Sequence, residues 1–233
     1  MQALDTRLAQ LAHRRRTLPE RAVLAERQQR VAQLQDDVVR ARTAVADVER
    51  EVVRAERDVE QVRQRAARNQ SRLDSGAVGA KDATALASEL ESLARRQSAL
   101  EEVELEVMER QEAAQGALVG LEQLLAEVDA DAEQARAALG SAVTEIDRDV
   151  ASVRADREST AGGVVDDLLA LYERVRGEHG GLGAAPLRAR RCEGCRMEQD
   201  TVTLNRIRAA AEDAVLRCEE CERILVRTPE SGL

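Results

Sequence analysis

Four cysteines are the side chains in this 233-residue chain whose spacing points most directly to chemistry. Cys192 and Cys195 form one C-x2-C pair and Cys218 and Cys221 a second, with 22 residues between the pairs. Each pair can set two thiolates on one side of a tight turn, and two such turns can close a tetrahedral site around a single Zn2+. Four thiolates fill that tetrahedron and leave no position for a substrate, so the expected site is structural. Two disulfides would need an oxidising compartment. The opening stretch MQALDTRLAQLAHRRRTLPE has no apolar run of the kind that exports a chain, which points to a cytoplasmic protein. A redox C-x2-C would need a strand-to-helix turn in a βαβ unit, and no such unit is legible. Iron suits the same four thiolates and stays open beside zinc.

The cysteines lie among arginines. Arg188, Arg190, Arg191 and Arg196 crowd the first pair and are the candidate contacts for a nucleic acid or a protein partner. Residues 187–227 hold nine Arg against eight Asp and Glu, so this region is nearly neutral while the chain as a whole carries a net charge of −9. The acidity lies upstream, where it would repel a nucleic-acid backbone. No run of 18 apolar residues is present, so no membrane span is expected.

Something must carry and position this cysteine module, and composition indicates what. The chain has no Phe, no Trp and one Tyr, Tyr172, and its apolar residues are mostly Ala, Val and Leu. Long helices with narrow apolar seams fit that composition better than a thick core does. Residues 3–17 read as a first helix ending in His13-Arg14-Arg15-Arg16, where cations complement the helix dipole. Pro19 then breaks that helix and opens the next. From Leu24 to Leu73 apolar residues recur at alternating three- and four-residue steps for about seven heptads. A helix over 20–74 would be about 80 Å long and needs a partner for its seam.

Ser75 to Asp82 interrupts the pattern, with Gly76 suited to a left-handed turn and Asp82 to an N-cap. The heptads resume at Leu86 and run to Val153, so the two seams should fold back as an antiparallel hairpin. Gln97, Glu104 and Gln111 fall on seam positions; a slow drift of the seam, with Val103 and Met108 turning inward, is the expected resolution. Gly116, Gly120 and Gly140 interrupt the same helix and suit either a close helix approach or a flexible segment. A short amphipathic helix over 164–176 follows, with Tyr172 packing where hairpin and cysteine module join. Gly177 to Gly183 reads as a flexible linker, with His179 at its surface. Within the module, 187–190 should enter as a strand, 203–211 should be a short helix, and 214–217 with 224–227 should form a hairpin. So small a core depends on its metal.

The expected fold is therefore mainly α, a long antiparallel coiled-coil hairpin followed by a small C-terminal four-cysteine zinc ribbon. The expected divisions are 1–160 for the hairpin (tip near 75–82), 161–186 for the short helix and Gly-rich linker, and 187–229 for the ribbon.

Several stretches together resemble the bacterial C4-type zinc ribbon proteins that carry an N-terminal coiled-coil hairpin. They are RLDSGAVGAKDATAL (72–86), LESLARRQSALEEVELEVME (90–109), DLLALYERVR (167–176), CEGCRME (192–198) and RCEECERIL (217–225). The resemblance implies zinc on Cys192, Cys195, Cys218 and Cys221. For some members it also implies association with flagellar and type III secretion systems and binding of a sigma-54-class factor. The family usually has Gly after its last cysteine, where this chain has Glu222, so an altered second knuckle is implied.

Three function classes follow. The first is a non-catalytic docking protein, adaptor or chaperone-like, that binds a macromolecular partner, foremost a protein, as a monomer or weak homodimer. The alternative is RNA or DNA binding through the Arg-rich ribbon, against which stands the lack of aromatic residues for base stacking. An enzyme is disfavoured: the thiols are committed, the two histidines lie far apart, and no phosphate loop or acid–base pair is legible.

Overall fold

The computed structural model describes residues 1–233. Helix α1 (Gln2–Arg16) is followed by α2 (Pro19–Asp74), α3 (Ala80–Gly162) and α4 (Asp166–Glu178). Then come strands β1 (Ala184–Arg188) and β2 (Arg191–Cys192), helix α5 (Thr201–Ala209), and strands β3 (Leu216–Arg217) and β4 (Ile224–Val226). The expected fold is borne out: mainly helical, with a helical hairpin and a small C-terminal β-rich region that holds the four cysteines. No helix is long and apolar enough to cross a membrane.

Two compact units make up the chain, one of residues 23–136 and one of 1–22 with 137–233. Within 23–136, α2 and α3 run antiparallel. Leu34, Val38, Val45, Val52, Val59 and Val62 of α2 are buried, as are Leu86, Leu93, Val107 and Ala132 of α3. Each such Val or Leu contributes about 1.5–3 kcal/mol by leaving water. Exposed ion pairs mark the register: Arg42 meets Glu122, Arg63 meets Glu101, and Glu51 meets Arg110. As one helix advances the other recedes, which is antiparallel pairing read from charges. Gly76 takes φ +65° at the end of α2, the left-handed turn expected of it. Asp82 is not an N-cap, because α3 begins at Ala80 and Asp82 sits inside its first turn, where its charge suits the dipole.

The expected drift of the seam does not occur. Val103 and Met108 stay outside, 48% and 46% exposed, while Gln97, Glu104 and Gln111 are half-buried on the seam. Gln97 donates to Glu101 Oε1 at 2.9 Å, so the polar group carries its own partner into the interface. Asn69 is also buried on this seam, and its Nδ2 has no partner.

In the other unit, α1 packs along the last turns of α3. Leu11, Leu18 and Ile146 form its core, flanked by Leu139, Val143, Val150 and Val153. Arg15 pairs with Asp147, which takes one member of the basic cluster out of the free surface. Asp5 is buried in a polar knot that periodicity gave no reason to expect. It accepts from Arg157 Nε at 2.7 Å and from the Tyr172 hydroxyl at 2.6 Å, and Arg157 also pairs with Glu173. Burial works to raise the Asp5 carboxyl, yet Arg157, Tyr172 and Arg176 together hold it below the usual carboxylate range. Burial and the neighbouring Asp5 push the Tyr172 phenol well up.

The glycine-rich stretch is not a loose tether. Helix α4 continues to Glu178, with His179 half-buried as its C-cap. The Gln2 side chain then pins the chain: Oε1 accepts from Gly183 N at 2.7 Å and Ala184 N at 3.1 Å, and Nε2 donates to Gly181 O at 3.0 Å. A Cβ on Gly183 would lie 2.9 Å from Tyr172 O and 3.0 Å from its ring, so only glycine fits against Tyr172.

Candidate metal centre

Strand β1 begins at Ala184, earlier than expected, because its backbone pairs in parallel with β4 from Ala184 opposite Ile224 to Pro186 opposite Val226. It pairs antiparallel with β2, while β3 pairs antiparallel with β4, giving the order β2-β1-β4-β3. Helix α5 starts two residues before its expected limit because Asp200 caps it, accepting from Val202 N at 2.7 Å and Thr203 N at 2.9 Å. Leu204 and Ile207 of α5 cluster with Ala185, Leu187, Leu225, Cys192 and Cys218. The cysteines are thus part of the small core.

Each C-x2-C is a knuckle built alike. In the first, Arg196 N donates to Cys192 O at 2.7 Å and Cys192 N to Met197 O at 3.0 Å; in the second, Glu222 N donates to Cys218 O at 2.8 Å and Cys218 N to Arg223 O at 2.9 Å. Closing each turn requires a left-handed residue after its second cysteine, and these are Arg196 (φ +67°) and Glu222 (φ +57°). Glu222 therefore keeps the knuckle geometry that glycine would ease. Arg217 braces it, donating through Nε to Glu222 O at 2.9 Å and through Nη2 to its carboxylate at 3.0 Å.

All four Sγ atoms lie within 4.8 Å of one another. Cys192 and Cys221 are 3.9 Å apart, and Cys195 and Cys218 3.7 Å. Bonds of about 2.3 Å at tetrahedral angles set sulfurs about 3.8 Å apart, whereas a disulfide requires about 2.05 Å. The donor set and its spacing fit a tetrahedral thiolate-bound ion. Burial pushes the Cys192 thiol up to about 12 and also raises that of Cys218. Burial works the same way on Cys221, but the backbone N–H and guanidinium of Arg223, with the Cys195 and Cys218 thiols, bring it down to about 7.

Two residues at this site escaped the sequence. Gln199 is buried and its Nε2 lies 3.6 Å from Cys218 Sγ. Arg223, which lowers the Cys221 thiol, donates through Nε to Leu182 O at 2.9 Å. A Gln and an Arg in a polar stretch carry no periodic signal; only the fold brings them to this site. Of the four candidate arginines, none touches the cluster through its side chain. Arg190 and Arg191 flank Glu198 at 4.0 and 3.6 Å, while Arg188 and Arg196 are exposed and outside any ion pair.

The architecture has known counterparts. A CT398-like coiled coil hairpin domain profile matches residues 1–180, and a C4-type zinc ribbon domain profile matches 191–225. The chain belongs to the CT398-like hairpin family. Among family relatives, the Mycobacterium tuberculosis protein Rv2229c is 39% identical over 224 residues, covering 96% of this chain and 91% of its own length. The Mycobacterium leprae protein ML1638 is 30% identical over 232 residues, covering 100% of this chain and 95% of its own. A solved structure from Mycobacterium smegmatis shares 36% identity and superposes with a TM-score of 0.85 over 97% of this chain and 94% of that one. The HP0958 structure from Helicobacter pylori, 14% identical with a TM-score of 0.50 over 97% of this chain and 93% of that one, shares the fold alone.

Proposed function

We propose that this CT398-like protein is a non-catalytic docking protein of the cytoplasm, in which one structural Zn2+ on Cys192, Cys195, Cys218 and Cys221 holds the ribbon in shape for a protein partner. The observation that carries the reading is the closed four-sulfur cluster with its 3.7 and 3.9 Å spacings. Such a donor set supplies folding energy and offers no open coordination position. The hairpin adds a long acidic surface suited to partner helices. Purification of tagged protein from its native host tests this, with a Cys218→Ser control. A stoichiometric protein, resistant to nuclease and lost in the variant, supports docking; the same capture tests the secretion-system and sigma-54-class partners that the family resemblance implies. Recovery of no partner in repeated crosslinked preparations contradicts it.

A second reading is favoured by Arg188 and Arg196, which stand exposed and unpaired at the ribbon. Under it the ribbon contacts RNA or DNA phosphates, and nuclease-sensitive nucleic acid would co-purify. Glu198 counts against it by compensating Arg190 and Arg191.

A further inference from the structure

The ion pairs of the hairpin divide its surface into two faces. Arg42–Glu122 and Arg63–Glu101 bridge α2 and α3 on one side of the seam; Glu51–Arg110 and Arg65–Glu89 bridge them on the other. In an antiparallel pair, flanking heptad positions meet like with like, so each bridge also marks which outer positions share its side. On the first side, Val39 and Val53 of α2 and Leu105, Met108 and Val119 of α3 are all exposed. Val39 and Val53 are two heptads apart, as are Leu105 and Val119, so each pair lines up along its helix. These large apolar side chains are absent from the seam that holds the hairpin together.

Charge on that face is equally uneven. Between residues 39–63 and 101–122, its flanking positions hold two Arg and six Glu; the corresponding positions of the opposite face hold three Arg against four Asp and Glu. Both arginines of the first face are already used in the bridges to Glu122 and Glu101. Glu49, Glu56 and Glu112 remain without ion pairs, set between the exposed valines and leucine. A row of apolar side chains interleaved with uncompensated carboxylates complements a helix of the opposite kind.

We propose that this face of the hairpin, from Val39 to Arg63 on α2 and Glu101 to Glu122 on α3, docks a basic amphipathic helix of about 20 residues, a length that matches its roughly 30 Å. The proposal rests on the docking reading and names the surface and the chemistry of the partner. Leu105, Met108 and Val119 take the apolar stripe of the incoming helix, and the free carboxylates take its Arg or Lys.

The test uses full-length protein and a synthetic 21-residue helical peptide with Leu at three- and four-residue spacing and Arg at the flanks. Its control carries Glu in place of every Arg. Fluorescence anisotropy should show binding of the basic peptide only. The combined change Glu49→Arg, Glu56→Arg and Glu112→Arg should weaken it about tenfold or more, as should Leu105→Ser with Val119→Ser. An equal charge change on the opposite face, Asp47→Arg, Asp58→Arg and Glu106→Arg, should alter it by less than about twofold. Circular dichroism confirms that these surface variants keep their helix. Equal weakening by both triple variants would reduce the effect to bulk charge and overturn the proposal, as would equal binding of the Glu peptide. A full-length dimer in sedimentation that Leu105→Ser with Val119→Ser dissociates would also overturn it, since a second copy would then cover this face. Failure here leaves the docking reading standing if the native partner still depends on the ribbon.

Discussion

Glu222 stands where the family resemblance implies glycine, and the structure shows the consequence. Its left-handed backbone costs about 1–2 kcal/mol that glycine would not incur. The exposed pair with Arg217 returns only a fraction of that. Glu222→Gly should therefore stabilise the ribbon by about 1 kcal/mol, read as a higher chelator concentration needed to extract the metal. At Asp5 the sign is opposite. Asp5→Ala would remove the buried acceptor shared by Arg157 and Tyr172, leaving them Glu173 and Gln2, and should cost about 1–3 kcal/mol by thermal melting. The folded carboxyls of Asp5 and Glu173 are both depressed. Their contribution is thus fully present above the ordinary carboxylate range and is lost as pH falls below it, through the depressed folded values. Stability of wild-type protein should drop on acidification, and Asp5→Asn should flatten that slope. Raised thiols at Cys192 and Cys218 make metal binding release protons, so metal affinity should also fall with pH.

At the scale of elements, helix α3 departs furthest from an ideal partner. Gly116 and Gly120 have nothing within 4 Å of where a Cβ would stand, so no close approach within the chain explains them. Changing each to Ala should raise stability by about 1 kcal/mol. Replacing half-buried Gln111 by Leu should likewise raise the melting temperature, by removing a polar group from the seam. These elements also show what the sequence could and could not disclose. Both long helices, the Gly76 turn, the Pro19 break and the β3–β4 hairpin are legible because period and backbone restriction are local properties. The inward position of Gln97, Glu104 and Gln111 is not, because it depends on how the two distant seams meet along their length, which no local pattern shows. Nor is the pinning of Gly183, which depends on Gln2 at the far end of the chain. In the ribbon, the cysteine spacing announces two knuckles, whereas Gln199 meets Cys218 Sγ, and Arg223 acts on Cys221, only through folding.

For the whole molecule, two kinds of cohesion coexist. The hairpin is held by a long repetitive seam that needs no ligand. The ribbon has a core of a few aliphatic side chains and its cysteines, too small to order some forty residues by burial alone. Under the docking reading, Zn2+ is the ribbon's folding ligand. The most direct measurement is metal analysis of the purified full-length protein, followed by hydrogen exchange before and after chelation. One zinc per chain is predicted, with chelation abolishing protection across 184–227 while 23–136 stays protected. A metal-free protein with a fully protected ribbon, or iron in place of zinc, would contradict it.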